Sequence, residues 1–258
     1  MRLWILLFLI LTNLAHAENA TYYVFNQTDK KVVHSYNASL KRPIASVSKL
    51  MTALVVVESS PNWDEKIKYK GHIFFNKQIS KRELFESLLI RSDNKAADAF
   101  ADAWPGGYNA FIKVMNETAS RLGMTETYFD DPSGLSRNNV STAEDLNRLI
   151  AEASKYDIIR HTSSSKYLKI EEKIGKKVKS VLLNNTNKGL LFEFDQIILS
   201  KTGFTNPAGR CLALLTEKNG KRYAIVILGE KTPREREERA RQLINNYVTI
   251  QQVEKDFE

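Results

Sequence analysis

The chain has 258 residues, a formal net charge of +8 and 43% hydrophobic residues, enough for one large domain with a well-buried core. A single cysteine, Cys211, excludes an internal disulfide, and His34, His72 and His161 stand at no metal-ligand spacing from one another or from it, which argues against a zinc hydrolase. The positive charges are spread out, with no basic stripe carrying aromatics; that argues against nucleic acid and suits an anionic surface such as a bacterial wall or lipid headgroups.

Residues 1–17 are expected to be a cleavable export signal: Arg2, then the apolar run Trp4 to Leu11, then the small-x-small site Ala15-His16-Ala17. The run is far shorter than the ~20 residues a membrane span requires. No second long apolar stretch follows, so the mature chain, beginning near Glu18, is expected to have no transmembrane segment. An exported chain without disulfides fits a bacterial periplasm.

Thr21 to Asn26 and Val32 to Tyr36 are β-rich runs around the turn Thr28-Asp29-Lys30-Lys31, which predicts a hairpin. After Pro43, the apolar run Leu50 to Val57 predicts a helix that stops at Ser59-Ser60-Pro61. Residues 65–160 read as a mostly helical lobe. Arg82 to Ile90 has helical apolar spacing. Ala96 to Trp104 is alanine-rich and ends at Pro105-Gly106-Gly107. Tyr108 to Leu122 is amphipathic, and Asp131-Pro132-Ser133-Gly134 is a turn. Ser141-Thr142-Ala143-Glu144 reads as a capping box with Ser141 as the cap. The end returns to strands: Ile197 to Lys201, then Cys211 to Glu217 and Tyr223 to Leu228 around the tight turn Asn219-Gly220. Cys211 is expected to be a buried apolar residue in its strand. From Pro233 a charged helix closes the chain, with Ala240, Leu243, Ile244 and Tyr247 on one face. Strands, helices, then strands and a helix predict a mixed α/β (α+β) domain over residues 18–258: an antiparallel sheet flanked by helices, with the helical lobe inserted between the sheet halves.

Three polar clusters fall at the junctions of these elements. In Ala45-Ser46-Val47-Ser48-Lys49-Leu50-Met51 a serine precedes a lysine by three residues at the start of an apolar helix, so both can face one cleft. A neutral amine there can take the hydroxyl proton and make Ser46 a nucleophile. Ser92-Asp93-Asn94 lies between two helices, and Lys201-Thr202-Gly203 at the end of a strand. Singly, each reads as well as a cap or a turn. A second serine-lysine copy, Ser163-Ser164-Ser165-Lys166, has no apolar helix behind it. All three clusters in this order and setting are a specific signal.

On these residues the chain resembles the low-molecular-weight penicillin-binding proteins, serine DD-peptidases of the β-lactamase-like fold, and within them the periplasmic murein DD-endopeptidases (type-7 penicillin-binding proteins). The likeness runs from about Thr21 to about Gly229. It is sharpest at Pro43-Ile44-Ala45-Ser46 through Ala53, Pro105-Gly106-Gly107-Tyr108, Ser133-Gly134-Leu135, and Lys201-Thr202-Gly203-Phe204-Thr205-Asn206 with Gly209 and Cys211.

The resemblance implies cofactor-free and metal-free acyl transfer on peptidoglycan peptide stems, with β-lactam antibiotics as covalent inhibitors. Ser46 is the expected nucleophile and Lys49 its base. Ser92 is the expected proton relay, and Asn94 orients Lys49 and holds the substrate backbone. Lys201 and Thr202 are expected to bind the substrate carboxylate, Gly203 to let the strand come close, and the backbone N–H groups of Ser46 and Phe204 to form the oxyanion hole. Asp93 has no expected catalytic role. Holding Lys49 neutral at pH 7 would cost about 4.6 kcal/mol at an unperturbed pKa; burial and the neighbouring charge of Lys201 are both expected to lower it.

Three rival readings share these clusters. A class A β-lactamase pattern, Glu-x-x-Leu-Asn, would need glutamate at Ala143. A β-lactam-binding module without turnover would not need the full set of catalytic groups. A D-Ala-D-Ala carboxypeptidase is the runner-up; such family members commonly carry an extra β-domain and an amphipathic tail, whereas this chain runs about 55 residues past Gly203 and its last residues, Gln251 to Glu258, are charged.

Overall fold

A computed structural model describes residues 20–249; the expected export signal and the tail Gln251 to Glu258 lie outside the described residues. In chain order the first elements are β1 (Thr21–Asn26), β2 (Lys31–Tyr36) and β3 (Arg42–Pro43), then a 3₁₀ turn (Ala45–Ser48) running into α1 (Lys49–Glu58). The lobe contains β4 (Lys66–Lys68), β5 (Gln78–Ser80), α2 (Lys81–Ile90), α3 (Asn94–Asp102), α4 (Gly107–Arg121), β6 (Val140–Ser141), α5 (Ala143–Ala153) and α6 (Asp157–Ser164). There follow β7 (Tyr167–Ile174), β8 (Lys177–Asn184), α7 (Lys188–Glu193), β9 (Ile197–Thr205), β10 (Gly209–Lys218), β11 (Lys221–Glu230) and α8 (Pro233–Ile244), extended by one π-helical turn (Asn245–Thr249).

The main sheet is antiparallel with strand order β2-β1-β11-β10-β9. The early strand β1 therefore pairs with the late strand β11, Thr21 opposite Leu228, and everything from β3 to α7 is inserted between the sheet halves, as predicted. The period-two alternation of β10 and β11 divides the core in two. Cys211, Ala213, Leu215, Ala224, Val226 and Leu228 face the helical lobe. Leu212, Leu214, Ile225 and Ile227 face α8, meeting Ala240, Leu243 and Ile244. Cys211 is fully buried in β10, as expected. The sequence KLMTALVVVE of α1 is apolar nearly all round, the signature of a core helix, and its first eight residues are buried.

Three expectations need correction. The cap of α5 is Thr142, whose hydroxyl accepts from the Asp145 N–H; Ser141 is extended in β6 opposite Arg42, with its hydroxyl against Thr127. Capping boxes do occur at α2 (Ser80 with Glu83) and α8 (Thr232 with Glu235). Next, Lys201-Thr202-Gly203 is not at a strand end, since β9 runs on to Thr205. Finally, strands return well before Ile197, in the β7–β8 hairpin. Its outer face is lysine-rich and exposed, and only an inner stripe with Ile170, Glu172 and Leu183 is buried, so its alternation is weak in the sequence. The second serine-lysine copy is structural: the Ser163 and Ser164 hydroxyls donate to the Arg160 carbonyl at the end of α6, and Lys166 pairs with Asp195.

Candidate active site

The first corner is the 3₁₀ turn feeding α1. Ala45 takes a left-handed φ of +47°, and the Ser48 hydroxyl donates back to the Ala45 carbonyl at 2.8 Å. The result presents Ser46 half-buried, one turn ahead of a fully buried Lys49. Lys49 Nζ has three partners: Ser46 Oγ at 3.0 Å, Asn94 Oδ1 at 2.7 Å and the Ser133 carbonyl at 2.5 Å.

The second corner joins α2 to α3. Ser92 sits at φ +62°, and Asp93 caps α3 by accepting from the Lys95 N–H. Asp93 also accepts from the Tyr69 hydroxyl at 2.7 Å and the Ser87 hydroxyl at 3.2 Å. Its carboxylate thereby holds the corner together. This arrangement turns Asn94 toward Lys49 and Ser92 toward the third corner.

That corner is β9. Lys201 Nζ donates to Ser92 Oγ at 2.8 Å and to the Thr202 carbonyl at 2.8 Å, while the Thr202 hydroxyl meets that of Thr186 at 2.6 Å. A methyl on Gly203 would lie 3.0 Å from both the Ile44 carbonyl oxygen and the Ser46 nitrogen, a tight contact with backbone, so the glycine eases the close approach of β9 to the nucleophile's backbone. Ser46, Ser92, Thr202, Gly203 and Phe204 line one cavity of about 380 Å³, together with Thr186, Arg210, Pro233, Arg236 and Glu237. Lys49 reaches Ser46 and Lys201 reaches Ser92 from within the protein, and the half-buried Asn94 joins the site through Lys49. All eight expected site residues are thus brought together.

Burial pushes Lys49 down to about 7, against the pull of Asp131, Asp93 and Asp98, which favour its charged form. Lys201 is held well below the usual lysine range, first by burial and then by the charges of Lys49 and Arg236. Of the two causes expected to lower Lys49, burial is the principal one, while Lys201 is not among the charges that act on it; the repulsion between the two amines falls on Lys201 instead.

The sequence reading missed several participants. The Ser133 carbonyl is the third partner of Lys49; it belongs to the Asp131-Pro132-Ser133-Gly134 turn, whose Ser133-Gly134-Leu135 carries part of the resemblance but has no expected role in the site. Asn139, fully buried, uses its whole amide there: its Oδ1 accepts from the N–H groups of Asp130 and Asp131, and its Nδ2 donates to the Asp131 carbonyl and Ser48 Oγ. Arg210 and Arg236 also line the cavity. The Arg210 guanidinium stacks 3.5 Å from the Phe204 ring centre. Arg210 lies between Gly209 and Cys211, in a stretch that carries the resemblance, but has no expected role, and Arg236 lies more than thirty residues beyond Gly203, where no spacing signals it. Among the described residues no cluster of His, Cys, Asp or Glu is arranged to hold a metal ion, and no helix is long and apolar enough to cross a membrane.

A serine beside a buried lysine, backed by Ser-x-Asn and Lys-Thr-Gly at the edge of an antiparallel sheet, defines the β-lactamase/DD-peptidase class of fold. Within it the chain belongs to the D-alanyl-D-alanine carboxypeptidase family, whose pattern matches residues 12–232. It is 40% identical to a D-alanyl-D-alanine endopeptidase of Escherichia coli over 209 residues, 77% of this chain and 67% of that one. Against the D-alanyl-D-alanine endopeptidase of Pseudomonas aeruginosa the identity is 38%, over 80% of this chain and 69% of that one. Among solved structures, a cefotaxime-bound penicillin-binding protein from Listeria monocytogenes superposes with a TM-score of 0.77 at 30% identity, over 87% of this chain and 95% of the other. A Streptomyces DD-transpeptidase gives 0.81 at 26% identity, over 87% and 94%.

Proposed function

We propose that the chain is a penicillin-sensitive serine DD-endopeptidase of the bacterial periplasm, reaching it through a cleavable signal at residues 1–17. In this reading residues 18–258 form one catalytic domain that hydrolyses D-Ala–diaminopimelate cross-links of peptidoglycan. The relatives that carry the endopeptidase name support the substrate class.

The observation that carries the mechanism is the hydrogen-bond inventory of Lys49. Two of its three partners, Asn94 Oδ1 and the Ser133 carbonyl, can only accept. A neutral amine spends its two N–H groups on them, and its lone pair is left facing the Ser46 hydroxyl. The lysine is thus oriented as a base, and its burial makes that state accessible near neutral pH.

Acylation then runs as follows. Ser46 Oγ attacks the D-Ala carbonyl carbon while its proton passes to Lys49 Nζ. The tetrahedral oxyanion is held by the Ser46 and Phe204 N–H groups; one such donor is typically worth about 3–4 kcal/mol. As the C–N bond breaks, the proton moves from Lys49 through Ser92 to the departing amine. A water molecule reverses the sequence: it attacks the ester, its proton passes through Lys49 back to Ser46 Oγ, and the free D-Ala carboxylate leaves. Lys201 and Thr202 face the carboxylate next to the scissile bond, or that of a penicillin.

Incubation with cross-linked muropeptide dimers, read by mass spectrometry, should release monomers. Release by Ser46→Ala at the wild-type rate would overturn the assignment. The D-Ala-D-Ala carboxypeptidase reading is supported by the family match and by relatives of that name; its signature is free D-alanine from a pentapeptide stem. Glu144 does not rescue a β-lactamase reading, because it is exposed on α5 beside Tyr23. Nitrocefin should give a stoichiometric burst without steady turnover.

A further inference from the structure

The Asp131 carboxylate touches no cavity-lining residue, yet it gathers more hydrogen bonds than its turn requires. Its Oδ1 accepts from the Ser133 N–H at 2.6 Å, the Ser133 hydroxyl at 2.8 Å and the Gly134 N–H at 2.6 Å, with the Leu135 N–H at 3.4 Å. Its Oδ2 accepts from the Ser136 N–H at 2.5 Å. Burial favours the protonated acid, but these donors more than offset it and hold the group below the ordinary carboxylate range.

The wrapped turn is tied to the start of α1 in two places. The Thr52 hydroxyl donates to the Pro132 carbonyl at 2.5 Å, and Ser48 Oγ accepts from Asn139, which also holds the Asp131 backbone. The turn therefore moves with the helix that supplies the base. It presents two surfaces to the reacting pair: the Ser133 carbonyl on Lys49 Nζ, and Gly134 packed against the backbone of Ala45 and Ser46.

We propose that Asp131 is a positioning residue for acylation: by winding residues 133–136 around one carboxylate it aims the Ser133 carbonyl at Lys49 and braces the Ser46 backbone amide. One group thus orients both the base and a donor of the oxyanion hole. Its negative charge also acts on Lys49, which is faced by Asp93 and Asp98 on the α3 side and by the amine of Lys201 from β9. Removing that charge favours the neutral amine, while removing the hydrogen bonds loosens the amine's orientation. The two effects have opposite signs and separate readouts.

This inference rests on Ser46 and Lys49 being nucleophile and base, and the test separates the two. The second-order rate of acylation by a fluorescent penicillin is followed from pH 5 to 9 in wild type, Asp131→Asn and Thr52→Val. Covalent labelling of a Ser46→Ala control would refute the underlying reading. With that control silent, Asp131→Asn should lose at least tenfold in its limiting rate and move the acid limb of its profile to lower pH. Thr52→Val, which cuts the tie without altering charge, should lower the limiting rate and leave the limb in place. A folded Asp131→Asn with a wild-type rate, or with a lower rate and an unmoved limb, overturns the proposal. If Asp131→Asn does not fold, a wild-type rate in Thr52→Val overturns it.

Discussion

Substituting Gly134 by alanine tests the contact between the Asp131 turn and the nucleophile's backbone. Gly134 has φ +82°, and a Cβ there would fall 1.9 Å from the Ala45 carbonyl oxygen, 2.3 Å from its carbon and 2.9 Å from the Ser46 nitrogen. Every one of these is backbone, so no side chain can swing aside. A left-handed alanine costs about 1–2 kcal/mol, and overpacking a tight site adds about 1–3 kcal/mol. The sum, about 2–5 kcal/mol, is a large part of the 5–15 kcal/mol typical of a domain. At about 2–4 °C per kcal/mol for a chain of this size, Tm should fall by roughly 10 °C. Relief can come only by moving Ala45 and Ser46, or by moving the turn away from Lys49. A misplacement of about 1 Å near reacting atoms can cost about 100-fold in rate. Acylation by a fluorescent penicillin, measured well below the new Tm, should therefore fall by about two orders of magnitude. A variant that labels at the wild-type rate with an unchanged Tm would refute the claim that this contact holds the nucleophile in place.

Other consequences follow from the buried lysine and its surroundings. Because Lys49 must be neutral to act and sits at about 7, wild-type acylation should rise with pH through that value; a flat profile from pH 5 to 9 would exclude Lys49 as the base. Between about 7 and the ordinary lysine value of 10.5, the unfolded chain binds a proton at Lys49 that the folded chain does not. The stability contributed by this site therefore increases with pH in that window, by up to about 1.4 kcal/mol per pH unit. Chemical denaturation across pH 7–9 should show that rise in wild type relative to Lys49→Met, and equal slopes would contradict the depressed pKa. Tyr69→Phe removes a 2.7 Å donor from the buried Asp93 carboxylate and should destabilise by about 1–3 kcal/mol. Acylation at 25 °C should be little changed, since Ser87 and the Lys95 N–H still hold Asp93; unaltered urea denaturation would show that the hydroxyl does not support this corner. Asn139→Ala strands four hydrogen-bonding partners at once and should lower both Tm and acylation rate. A stable, fully active variant would show that the Asp131 turn does not depend on it.

Local chemistry made much of this protein legible in one dimension. The apolar run of α1, the period-two runs of β1, β10 and β11, and the turn at Asn219-Gly220 are short-range patterns, and each element formed within a residue or two of its expected place. Ser46 with Lys49, Ser92 with Asn94, and Lys201 with Thr202 and Gly203 each announce themselves because neighbouring residues must share one helix turn or one strand edge. The β7–β8 hairpin and the cap of α5 were less legible. Lysines cover the exposed face of the hairpin, and at residues 141–142 two adjacent hydroxyl residues compete for one cap; β6 pairing, remote in sequence, decides between them.

What the order of residues determined by itself, then, was the identity of the chemical groups and the element that carries each of them. Only tertiary structure decided how those groups act on one another. Packing buried Lys49 and so displaced its proton equilibrium, and it brought a carbonyl from 84 positions away onto that amine. It also set Arg210 and Arg236 around the same cavity. Desolvation and through-space hydrogen bonds depend on distance in three dimensions, and sequence separation has no fixed relation to that distance.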